Sequence, residues 1–175
     1  MSLLVKIFRT RTSRIAAVAL AVLALDQTTK ALVLRFLGFY DEKIVVPGFF
    51  KFVHWQNTGA AWSLFTGNNR MLALVAIVAL VVLFLGRHHF DSRSWLGQIA
   101  LGLIFGGITG NLIDRIRVGH VIDFLLFFHQ PGGGGDPMIF PAFNIADSGI
   151  CVGVGLIFLL TWRNEHPAKT ASSPQ

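Results

Sequence analysis

Apolar residues dominate four long stretches of this chain, at about 15–37, 71–86, 94–113 and 142–162, with polar loops between them. A helix needs about 20 mostly apolar residues to cross a bilayer, so the pattern predicts four transmembrane helices. The fold class is therefore an all-α membrane protein, organised as a single membrane domain over 1–175. Asp26-Gln-Thr-Thr-Lys30 interrupts the first stretch, Arg70 and Arg87 bracket the second, and Pro141 stands just before the fourth, where proline suits a helix start. The loop over 38–69 holds Lys43-Ile-Val-Val-Pro47 and Phe49-Phe-Lys-Phe-Val-His-Trp55, whose partial alternation of branched and aromatic residues predicts short strands on the membrane surface. The loop over 115–140 contains Pro131-Gly-Gly-Gly-Gly-Asp-Pro137, a hinge or a simple lengthening.

Charge orients the bundle. Eight of the 15 Lys and Arg lie in the N-terminal tail, the 87–93 loop and the 163–175 tail; five belong to the two longer loops and their flanks. That bias puts both termini in the cytoplasm and both long loops outside. The same bias explains the net charge of +6 better than nucleic acid does, because no aromatic-basic binding pattern accompanies it. Only 14% of residues are charged, against about 25% in soluble proteins. The basic N-terminus looks like a signal peptide, but its apolar run continues past Asp26 with no small-residue cleavage site, so it reads as a retained first span. A lone cysteine, Cys151, excludes a disulfide framework and reads as a small buried hydrophobe among Ile150, Val152 and Val154.

Polar residues in so apolar a chain need partners. Asp26 and Lys30, spaced i,i+4, share a helix face and form an ion pair, which serves either as a staple between helices or as a substrate contact. Asn57-Thr-Gly-Ala-Ala-Trp62 follows the predicted strands. Asn57 suits hydrogen bonding to an extended peptide and Gly59 leaves room for a backbone or lipid, although an ordinary turn ahead of an aromatic anchor is the plainer reading of these residues alone. Gly110-Asn-Leu-Ile-Asp-Arg115 closes the third span; Asn111, Asp114 and Arg115 fall on one face, and Arg115 can grip a carbonyl or carboxylate. Small residues at Gly102, Gly106, Gly107 and Gly110 would let another helix, or a ligand chain, pack closely.

Asp123 and Asp147 are the sharpest feature. Acids beside hydrocarbon are costly and therefore functional candidates. Asp147 is placed about five residues into the fourth helix and Asp123 in the loop leaving the third, both at the outer edge. Two close carboxylates cannot both ionise comfortably: one keeps a proton while the other serves as base toward a shared water. Asn144, one helical turn before Asp147, is placed to orient that water or a substrate carbonyl. Taken singly, a helix-start carboxylate and a solvated loop acid are the plainer readings. No phosphate loop, nucleophilic serine or metal-spaced histidine competes. A small transporter remains the rival, but the acids gather at one edge instead of forming a polar trail.

Five stretches in order, Asp26-Gln-Thr-Thr-Lys30, Asn57-Thr-Gly-Ala-Ala-Trp62, Gly110-Asn-Leu-Ile-Asp-Arg115, Val121-Ile-Asp-Phe124 and Phe143-Asn-Ile-Ala-Asp147, resemble lipoprotein signal peptidase, also called signal peptidase II. The resemblance covers about 26–162. It implies an aspartic endopeptidase of the bacterial inner membrane, with four helices, a small extracytoplasmic β-sheet and a short outer helix. It further implies cleavage of diacylglyceryl-modified prolipoproteins just before the lipidated cysteine, by a monomer with no metal or other cofactor, inhibited by globomycin-type peptides. By motif, Asp123 and Asp147 are the expected catalytic pair. Asn57, Gly59, Asn111, Arg115 and Asn144 are expected to position substrate, and Asp26, Lys30, Asp114 and Ala146 to support them. The glycine run at 132–135 is not part of the resemblance.

Overall fold

A computed structural model describes residues 10–59, 67–88, 90, 94–131 and 135–165. Four helices are long and apolar enough to cross a membrane. In chain order, α1 (Arg11–Phe36) leads into strands β1 (Glu42–Val46) and β2 (Phe50–Asn57). Helices α2 (Asn69–Gly86) and α3 (Trp95–Arg117) follow, then β3 (Val121–His129), β4 (Met138–Ile139) and α4 (Ile145–Glu165). The helix surfaces carry exposed Leu, Val, Ile and Phe throughout, while the buried set is small. That inversion is what a lipid solvent demands, since lipid-facing side chains gain nothing by turning inward.

Local chemistry sets the helix starts. The Thr10 hydroxyl accepts from the Ser13 amide at 3.2 Å, and Ser13 Oγ accepts from the Thr10 amide at 3.3 Å, a reciprocal cap that begins α1 at Arg11. Ser94 Oγ accepts from Gly97 N at 3.0 Å and begins α3. Of the helix ends that differ from the hydropathy reading, two have a clear local cause. Helix α3 runs to Arg117, because Asp114 and Arg115 find partners within the protein and have no need of water. Helix α4 begins at Ile145, because the residues after Pro141 pair with β3: Leu125 N donates to Phe143 O at 2.8 Å and Phe143 N returns to Leu125 O at 3.0 Å. Proline therefore sits four residues ahead of the helix. Cys151 faces outward on α4 and is not a core residue, because that stretch of the helix turns its small Gly149 and Gly153 inward and leaves Cys151 and Val152 outside.

Helix α3 is the axis of the bundle, packed on α1 along one side and α4 along another. Glycine makes this possible. A Cβ on Gly102 would meet Val18 Cβ at 2.5 Å, one on Gly106 would meet Ala19 O at 2.6 Å, and one on Gly110 would meet Asp26 Oδ2 at 2.6 Å. The backbones of α1 and α3 thus touch directly, as small residues allow in membranes.

The four strands form one antiparallel sheet in the order β1-β2-β3-β4. Both strands expected before α2 are present. Strand β3 was not expected, yet it is the sheet's most buried member. In register it sets Asp123 opposite Trp55 and Val121 opposite Asn57. The ladder between Phe52 and Trp55 is irregular, and Gly119, at φ +83°, makes the left-handed turn from α3 into β3. Among the described residues the loops hold no short helix. Ala60, Ala61, Trp62 and most of the glycine run fall outside those residues.

Gly106→Ala should therefore lower stability by about 1–3 kcal/mol through overpacking, whereas Gly155→Ala, with open space around its Cβ, should leave it unchanged or raised. Equilibrium unfolding in detergent micelles reads both.

Candidate active site

The polar residues of α1, α3, β2, β3 and α4 converge at one end of the bundle. Lys30 lies at the centre of one buried cluster. Its Nζ lies 2.8 Å from Asp26 Oδ2, 2.6 Å from Asp114 Oδ2 and 3.1 Å from Asn111 Oδ1. Lys30 is 2% exposed, Asp26 0% and Asp114 4%. Two carboxylates and one ammonium leave the group net negative, so further donors are needed. Gln27 Nε2 supplies one, to Asp114 Oδ1 at 2.9 Å, to Asp26 Oδ2 at 3.2 Å and to the Gly110 carbonyl at 3.3 Å. Ala146 N supplies another, to Asp26 Oδ1 at 3.0 Å. The Ile122 amide approaches Asp114 Oδ2 at 3.4 Å. Asp26 and Lys30 therefore staple α1 to α3 and to the start of α4. Asp114 pairs with Lys30 and not with Arg115.

Above this cluster stand the two acids. Asp123 Oδ2 accepts from Asn57 Nδ2 and Oδ1 from Asn144 Nδ2, each at 2.9 Å. Asp147 Oδ1 accepts from Asn111 Nδ2 at 2.7 Å, and Oδ2 from Asn144 N at 3.2 Å. Both carboxylates are thus held by the same residue, Asn144. That asparagine caps α4 with its own Oδ1, which accepts from Asp147 N at 2.9 Å. The cap and the acid form a reciprocal pair across the first turn, and Asp147 is the third residue of the helix, closer to its start than the sequence suggested. Asp123 lies within β3 and not in a loop.

The orientation of every amide is fixed by a group that can only donate. Asn57 Oδ1 receives the Gly59 N–H at 2.9 Å, Asn144 Oδ1 the Asp147 N–H, and Asn111 Oδ1 the Lys30 ammonium. Each amide must then turn its Nδ2 toward an acid. Asp123 is 3% exposed and, among the described residues, forms no ion pair. Burial, reinforced by the charge of Asp147, pushes its carboxyl up to about 7, against the opposing hydrogen bonds from Asn57 and Asn144 and the charge of Lys30.

Gly59 and Arg115 sit to one side. Arg115 Nη2 donates to the Gly59 carbonyl at 2.8 Å and Nη1 to Asn69 Oδ1 at 3.2 Å. Of the residues singled out from sequence, Asp123, Asp147, Asn57, Asn111 and Asn144 come together directly. Gly59 and Arg115 join through Asn57, and Asp26, Lys30, Asp114 and Ala146 lie beneath. Two polar residues were missed. Gln27 was hidden beside the more conspicuous Asp26 and Lys30. Asn69 read as loop, although an Asn-Asn pair at the head of an apolar segment marks a polar helix start.

Comparison with known proteins decides the family. A family model described as Signal peptidase (SPase) II matches residues 18–163. The chain belongs to the signal peptidase II family. A protein of Syntrophotalea carbinolica named lipoprotein signal peptidase is 40% identical over 151 residues, 84% of this chain and 89% of its own. One of Geobacter sulfurreducens with the same name is 41% identical over 153 residues, 86% of this chain and 92% of its own. A solved structure described as a bacterial membrane enzyme superposes with a TM-score of 0.74 at 31% identity, covering 90% of this chain and 93% of that one. The protein is accordingly a multi-pass membrane peptidase of the signal peptidase II type.

Removing the ammonium strands two buried carboxylates, so Lys30→Met should cost about 3–5 kcal/mol. Thermal unfolding in micelles checks this, with Lys51→Met, whose surface pair with Glu42 is worth at most about 1 kcal/mol, as the control.

Proposed function

We propose that this protein is an aspartic endopeptidase that removes signal peptides from diacylglyceryl-modified prolipoproteins, cutting just before the lipidated cysteine. The observation that carries the reading is the pair of carboxylates, Asp123 buried and Asp147 half-buried, tied to one asparagine, Asn144. Relatives named lipoprotein signal peptidase support the substrate class.

In the proposed chemistry, Asp147 is the base and Asp123 holds the shared proton. Asp147 sits at a helix start and accepts from two N–H donors, contacts that favour its ionised form. Asp123 has its carboxyl pushed up to about 7 and so carries a proton near neutrality. Asp147 takes a proton from water as the water oxygen bonds to the scissile carbonyl carbon, and Asp123 donates its proton to the carbonyl oxygen. The resulting diol collapses: the carbon–nitrogen bond breaks, the amine leaves with the proton held by Asp147, and a hydroxyl proton returns to Asp123. Asn57, Asn111 and Asn144 keep the acids aimed, and Gly59 and Arg115 position the peptide. The two acyl chains would lie against the lipid-facing helices, so binding energy far from the cut places the bond.

In this reading the sheet and the two acids lie at the outer face of the bacterial inner membrane with both termini in the cytoplasm, as the Lys and Arg bias supports, and the chain acts as a monomer without a cofactor. A globomycin-type peptide would occupy the same site and compete with substrate.

The test is cleavage of a diacylated lipobox peptide beside its unlipidated twin. Asp123→Asn and Asp147→Asn should each abolish cleavage while still binding the lipopeptide. Near-normal processing by purified Asp147→Asn would refute the assignment. Activity of the wild type should fall as pH rises through about 7, because Asp123 then loses the proton it donates; a rate that stays flat to pH 9 would contradict its role as acid.

A further inference from the structure

Helix α2 is loosely seated. Leu72 is its one buried residue, and it packs chiefly on α3. At its head stand two asparagines after Gly67, whose φ of +84° makes the turn. Asparagine at a helix start ordinarily caps the helix with its side chain. Here Asn68 occupies the cap position and makes no such bond. The Asn69 side chain points to α3: its Nδ2 donates to the Arg115 carbonyl at 2.9 Å, and its Oδ1 accepts from Arg115 Nη1 at 3.2 Å. The amide therefore both gives to and takes from one residue, which a carboxylate or an apolar side chain cannot do.

What Asn69 holds leads straight to an acid. Arg115 Nη2 donates to the Gly59 carbonyl at 2.8 Å, the Gly59 amide donates to Asn57 Oδ1 at 2.9 Å, and Asn57 Nδ2 donates to Asp123 Oδ2 at 2.9 Å. An arginine side chain has several rotatable bonds and needs a second anchor to keep its guanidinium in one plane. Asn69 is half-buried and supplies that anchor from a different helix.

We propose that Asn69 is a positioning residue of this peptidase, holding the Arg115 guanidinium so that Gly59, and through it the Asn57 amide, stays registered on Asp123. The inference rests on the assignment of Asp123 and Asp147 made above. It also gives α2 a share in the site, although α2 contributes no residue to the acids' own hydrogen bonds.

The experiment is a double-mutant cycle on lipopeptide cleavage, with Asn69→Ala, Arg115→Ala and both together, and Asp147→Asn alongside. Misplacing the supports of a reacting group by about 1 Å costs up to roughly 100-fold, so Asn69→Ala should lower kcat by about 10- to 100-fold with KM little changed. Because Asn69 acts through Arg115, the double variant should be no slower than Arg115→Ala alone. Asn69→Asp, which keeps the acceptor for Nη1 and loses the donor, should recover part of the rate. It also serves where Asn69→Ala fails to fold. Unchanged kcat in the folded variants, or losses that multiply in the double variant, overturn the proposal. If Asp147→Asn is dead while Asn69→Ala is fully active, this inference alone falls; if Asp147→Asn cleaves normally, the assignment of the acids falls and this inference with it.

Discussion

One ammonium group, Lys30, holds three helices to a single arrangement. Hydrocarbon does not solvate a charge, so Lys30, Asp26 and Asp114 are stable only while they meet one another. The requirement is geometric. Asp26 must face Gly110, where no Cβ stands in its way, and its second oxygen must reach the Ala146 amide at the start of α4. Helix packing and charge pairing thus select the same register between α1, α3 and α4. The residue after Ala146 is Asp147, so the register that satisfies Lys30 also places an acid.

The upper layer runs on amides. Three asparagines from β2, α3 and the cap of α4 each spend an oxygen on a fixed donor and a nitrogen on an acid. Neutral amides can hold a carboxyl without fixing its charge. A lysine in contact with Asp123 would keep it ionised and remove the proton that the proposed acid catalysis needs. The structure keeps its lysine one residue away, joined to Asp147 through Asn111. Burial then sets the proton affinity of Asp123, and the partner acid raises it further.

Much of this was legible in the residues. Runs of apolar side chains marked four helices, and the i,i+4 spacing of Asp26 and Lys30 marked their ion pair. The glycines of α3 marked a close approach without naming the partner, which is α1 at Gly102, Gly106 and Gly110 and α4 at Gly107. Three things were not legible, for physical reasons. Strand β3 is buried on both faces and reads Val-Ile-Asp-Phe-Leu-Leu-Phe-Phe, a run without alternation, so its aromatic and branched content was the sole cue. The end of α3 was set short because Asp114 and Arg115 resemble a membrane boundary until their partners, Lys30 and Asn69, are known. Asn69 lay 46 residues from Arg115, and no local pattern announces such a bond. The roles of the acids themselves were suggested by their position and by family resemblance, and geometry adds that one asparagine holds both.

The central claim is that Asp123 and Asp147 share one proton near neutral pH. Isotope-edited infrared titration of the carboxyl groups tests it most directly, with Asp123→Asn subtracted to assign the band. The account predicts a protonated carboxyl that persists above the ordinary carboxylate range, loses its proton near pH 7, and vanishes in Asp123→Asn. A wild-type protein in which both groups ionise together near pH 4, the ordinary range of an aspartate, would contradict it.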